Sequence, residues 1–171
     1  MTEPSTPRSL PASTADERAS LCGWLEFHRA TFARKLEGLS AAQMATRSAP
    51  PSDLSLLGLL RHHAEGERWT FQHLFRGDDD VPYFDTDDFA DFTGADEAMV
   101  AASMQQWLAA CDESRRIEAA ASLDDLSAEP GPWADEPVSL RWLLLHTIEE
   151  YARHNGHADL LRERIDGNTG W

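Results

Sequence analysis

The sequence has little that would tie it to an oxidising compartment, a nucleic acid or a membrane. Its two cysteines, Cys22 and Cys111, lie in separate helix-patterned segments with no Cys-x-x-Cys spacing, which leaves neither a disulfide framework nor a zinc knuckle. They read as buried, unreactive thiols in a reducing cytoplasm. Positive charge is scarce. Fifteen Lys and Arg stand against thirty Asp and Glu, a formal charge of -15, and this balance repels nucleic acid and anionic membranes. No apolar run approaches the roughly 20 residues of a membrane span, and the Ser/Thr/Pro-rich start lacks the apolar core of a signal peptide. Alternating strand patterns and internal repeats are also missing. The acidic stretch after Gly77 has no Gly or closing Glu at EF-hand spacing, so its carboxylates read as solvated.

Helical periodicity is what the chain does have. Residues 1–12 are rich in Pro, Ser and Thr and are expected to form a disordered lead, with a single domain over 13–171. Thr14 with Glu17 reads as a capping box opening a first helix to about Leu36, its inward stripe Leu21, Trp24, Leu25, His28, Phe32 and Leu36. Gly38 to Ser52 reads as a connection, broken by Pro50-Pro51. A second helix is predicted from an N-cap at Asp53 to about Phe75, with Leu56, Leu57, Leu59, Leu60, Ala64, Trp69, Phe71 and Leu74 at helical spacing. A long connection leads to a third helix over Asp96 to about Ala121, with Met99, Met104, Trp107, Leu108, Cys111 and Ile117 inward. After a polar loop, the last helix runs from Val138 to about Ile165. The expected fold is all-α, an antiparallel four-helix bundle with a long crossover between helices 2 and 3.

The last helix carries the chemistry. Leu140, Leu143, Thr147, Glu150, His154, His157 and Leu161 form a heptad seam with apolar ends and a polar middle. Glu150 and His154, four residues apart, reach a point in front of one face. Burying them unpaired would cost several kcal/mol, so a metal ion or a protein hydrogen-bond partner must compensate them.

Two segments, Ser55-Leu-Leu-Gly-Leu-Leu-Arg-His-His-Ala-Glu-Gly-Glu-Arg-Trp and Glu149-Glu-Tyr-Ala-Arg-His-Asn-Gly-His-Ala-Asp-Leu-Leu-Arg-Glu, resemble the signature segments of the DinB-like (YfiT-like) metalloproteins, in particular the actinobacterial mini-circle branch. In that superfamily one side chain of the second helix and two at i, i+4 on the fourth commonly hold a divalent metal. The usual fourth-helix pair is His-x-x-x-His, and here Glu150 stands at its first position. That departure is similar to the mycothiol-dependent maleylpyruvate isomerases, which pair a Glu and a His on this helix. The resemblance implies His62, Glu150 and His154 as ligands. Periodicity alone does not decide between His62 and His63, so His63 is held in reserve. His146 and His157, one turn to either side of the pair, are further reserves, as a fourth ligand or as hydrogen-bonded walls of the site.

Two imidazoles and a carboxylate bind zinc or nickel and leave a position open, as in catalytic zinc sites. The resemblance implies a low-molecular-weight thiol of mycothiol type, a small electrophilic co-substrate, thiol S-transfer or thiol-assisted isomerisation, and a homodimer. A non-catalytic metal- or ligand-binding bundle with a stress or regulatory role, and a metal-dependent hydrolase, are the rival readings. Glu65 reads as a solvated helix surface, and Glu67 stays undecided between base and structural group. Asp159 and Arg162 read as a solvated or ion-paired helix face rather than as groups that support the site or anchor the helix.

Overall fold

The computed structural model describes residues 8–84, 92, 94–132 and 135–169. It is mostly helical. Helix α1 spans Glu17–Leu36 and α2 Ala41–Ala45; α3, Leu56–Glu67, continues without a break into a π-helix, Arg68–Arg76. A 3₁₀ turn, Glu97–Met99, leads into α4, Val100–Ala120, and the chain ends on α5, Leu140–Asp166. Between α4 and α5 the strands β1, Leu126–Pro130, and β2, Pro137–Ser139, pair antiparallel. Helix α1 packs on α5, α3 on both α4 and α5, and β1 on the π-helix.

Local chemistry explains most boundaries, and several differ from the sequence reading. Helix α1 is capped by Asp16, which accepts from Ala19 N–H, rather than by Thr14. Of the expected disordered lead, residues 1–7 lie outside the described residues, but Arg8 donates to Thr31 and sits over the Phe27 ring. Within the connection before α3, Ser40 and Gln43 form a reciprocal capping box that holds the short helix α2. Ser55, not Asp53, caps α3 through Gly58 N–H. Ser139 caps α5, and Gly167, at φ +79°, closes it by donating to Glu163.

The hairpin corrects the expectation of a fold without strands: five residues paired with three are too few for an alternating pattern to show. The Leu25, Phe32, Leu57, Leu60, Phe71, Trp107, Leu144 and Leu161 side chains fill the core. Trp24, Met99 and Leu108 were expected inside and are exposed instead, because an apolar stripe read at 3.6-residue spacing is wider than the surface its neighbours cover.

Candidate metal centre

His62 leaves α3 toward α5, where Glu150 and His154 stand one turn apart. The His62 Nε2 to Glu150 Oε2 distance is 3.6 Å and that from His154 Nε2 to the same oxygen is 3.4 Å. Among the described residues these three offer ligand atoms all within 4.8 Å of one another. Both separations exceed the 2.7–3.2 Å of a good N–H···O bond. They match the edge of a tetrahedron, about 3.3 Å for ligands roughly 2.0–2.1 Å from zinc. The donor set and its spacing therefore fit a divalent metal.

The surroundings hold each side chain in place. Arg153 pairs with the carboxylates of Glu149 and Glu150. The imidazoles of His154 and His62 at these distances, with Arg153 nearby, keep Glu150 well below the usual carboxylate range, so it is ionised. His157 Nδ1 lies 3.2 Å from His154 Nδ1, on the ring edge away from Glu150, where it fixes the orientation of His154. Phe92 stacks on His62 at 4.6 Å between centroids. The acidic connection after Gly77 thus supplies one wall of the site. Its carboxylates are not simply solvated, since Asp78 pairs with Arg76 and Asp80 with Arg68; residues 85–91 and 93 of this connection are outside the described residues.

The reserve histidines occupy other positions. His63 is buried and lies flat on Tyr151, with centroids 3.9 Å apart and planes at 4°. Burial, reinforced by His62 and His154, holds its pKa far below that of a free imidazole. His146 stacks on Trp142 and, with Glu149 and Glu150, forms a second group within 4.8 Å. Neither His63 nor His157 joins a group of three among the described residues.

Beside the cluster opens a cavity of about 490 Å³, walled by His62, His63, Gly66, Glu67, Trp69, Thr70, Pro132, His146, Thr147, Glu150 and Tyr151. The π-helix brings Trp69 and Thr70 into this wall. Each of its turns closes i to i+5 and takes in an extra residue, which moves Trp69 out of the core stripe where 3.6 periodicity puts it. The hairpin adds Pro132.

Behind the wall is an ion network that the sequence reading did not identify. Arg29 Nε and Nη2 donate to the two oxygens of Glu67 at 2.7 and 2.6 Å, and Nη2 also reaches Glu118 at 3.0 Å. Tyr151 donates its hydroxyl to Glu67 at 2.9 Å and accepts from Trp107 Nε1 at 2.8 Å. Burial alone would raise the Glu67 pKa, but Arg29, Ser114 and Tyr151 bring it below the ordinary value. Glu67 is thus a structural anion rather than a base. Glu65, read as solvated, accepts from Arg68 and from Tyr83 N–H. Cys111 is buried beside Glu67 and its thiol pKa is pushed up, by burial first and then by that carboxylate. Asp159 pairs with Lys35, and Arg162 donates to the carbonyls of Lys35 and Glu37, as an ion-paired face requires.

A mostly helical domain that sets one histidine of a long helix against a Glu and a His one turn apart on another is a DinB-like protein. The family model for mycothiol-S-transferase matches residues 20–167. The chain belongs to that family. No curated protein matches the sequence.

Proposed function

We propose that this chain is a divalent-metal-dependent S-transferase using a mycothiol-type thiol, with His62, Glu150 and His154 as the metal ligands. The observation that carries this reading is the spacing of the three ligand atoms at the edge of a cavity large enough for a small molecule. Zinc suits the donor set best and nickel is accommodated. A metal held there supplies a Lewis acid that lowers the pKa of a thiol or water it binds. The chain's own residues do the rest. Glu150 brings one negative charge, His157 fixes the ring of His154, and the flat stack of His63 on Tyr151 keeps the adjoining wall rigid.

In the transfer itself the thiol sulfur bonds to an electrophilic carbon. The bond from that carbon to its leaving group breaks, the leaving group departs with the electron pair, and the thiol proton goes to solvent. The four long helices read as an antiparallel four-helix bundle over one domain, with the ligands on its second and fourth members. A reducing cytoplasm is the compartment in which such a thiol is available.

The test combines metal analysis with turnover. Chelator-free wild type is expected to carry near-stoichiometric metal and to join mycothiol to 1-chloro-2,4-dinitrobenzene with release of chloride. His154→Ala, prepared identically, should lose both. A wild type that stays metal-free even after zinc is added back would overturn the reading. Ester hydrolysis without thiol would favour the hydrolase instead, and stoichiometric metal without turnover of any thiol would favour a binding protein.

A further inference from the structure

The cavity wall has a one-sided chemistry. All fifteen Lys and Arg residues fall among the described residues, and none of them lines the cavity. Arg29 and Arg153, which reach lining residues, are both engaged with carboxylates. The wall itself contains two carboxylates, Glu67 and Glu150. An anionic group entering it would give up its hydration with no cationic side chain to replace it. A metal at His62, Glu150 and His154 would add positive charge only at those residues, which the proposed function assigns to the thiol. The rings of Trp69, Tyr151 and Pro132 favour an apolar body.

One residue of the wall holds a polar atom that is left unmatched. His63 is 3 % exposed, and its Nε2 has no hydrogen-bond partner among the described residues. Buried polar atoms in this state are exceptional and point to a missing partner. Its ring cannot simply turn away, because it is stacked flat on Tyr151 and packed edge-on against Phe32.

Resting on the transferase reading, we propose that the co-substrate is an uncharged compound with an apolar, ring-sized body and one hydrogen-bonding group that meets His63 Nε2. Carboxylate electrophiles are excluded by the same wall.

Benzamide and benzoate differ little in shape and fully in charge, so calorimetric titration of both into metal-free and zinc-loaded full-length protein tests the proposal without thiol or turnover. Benzamide is expected to bind both forms, and benzoate to bind the metal-free form at least about tenfold more weakly. His63→Phe keeps the stack on Tyr151 and removes the nitrogen; it should weaken benzamide about fivefold or more. In Gly66→Lys, at a wall position where a Cβ meets nothing within 4 Å, benzoate should gain over benzamide. Equal or tighter benzoate binding to the metal-free wild type overturns the proposal. So does failure of benzamide to bind, or unchanged benzamide affinity in a folded His63→Phe. Benzamide preference in a protein without thiol transfer would overturn the proposed function and leave this ligand class standing.

Discussion

If the cluster is the metal site proposed above, two side chains decide how tightly it holds the ion. Glu150→Gln keeps the shape and removes the charge between two imidazoles 3.6 and 3.4 Å away. Zinc affinity should fall by well over tenfold while the circular dichroism spectrum stays native; unchanged metal content in that variant removes Glu150 from the ligand set. His157→Ala leaves the three ligands in place but frees the far edge of His154, and a loss of about 10–100-fold in zinc affinity is expected, as for other side chains that orient a ligating histidine. A change below twofold, measured by competition with a chromophoric chelator, would show that packing alone orients His154. Glu150 and His154 were legible because a four-residue step on a helix fixes two side chains to one face. Tyr151 and Arg29 were not singled out, although Arg29 occupies the Leu25–Phe32–Leu36 stripe and a charge on a buried stripe is itself a signal. Its partners Glu67 and Glu118 lie 38 and 89 residues away, and no local pattern links them.

The elements follow the same division. The long helices were readable from apolar spacing, although the caps of α1 and α3 fall on other residues than those the sequence suggested. The π-helix was not, since its wider turn changes which residues share a face without changing which residues are apolar. Gly77 ends it at φ +84°, and a Cβ there would lie 2.9 Å from the Ala128 Cβ of β1. Gly77→Ala is therefore expected to cost about 1–3 kcal/mol and to disturb the cavity side of the π-helix, which thermal melts with and without benzamide would register. An unchanged melting temperature would mean that β1 yields freely. Ser139→Ala removes the cap of α5 and should cost about 1 kcal/mol without altering zinc affinity, since the ligands lie turns away from that end.

Across the whole molecule, the response to acid follows from the network that joins α1, α3, α4 and α5. Glu67 titrates below its ordinary value of 4.5, so the folded state binds fewer protons than the unfolded chain. The stability it contributes is present above about pH 4.5 and is lost as pH falls through the folded value. Glu118, raised by burial, works in the opposite sense. Metal-free protein should show a steep loss of stability below about pH 4.5, and Glu67→Gln should flatten that limb while lowering stability at pH 7 by about 3 kcal/mol. Denaturant titrations across pH check both, and an acid limb as steep in Glu67→Gln as in wild type would place the sensitive group elsewhere.

That network also bears on inheritance. A lineage that lost Arg29 alone would leave Glu67 charged and buried beside Tyr151 and Glu118 without its cation, at a cost of about 3–5 kcal/mol, whereas exchanging all three for well-packed apolar side chains can be nearly neutral. Positions 29, 67 and 118 should consequently change together among descendants of a common ancestor, even though none of them belongs to the proposed metal site.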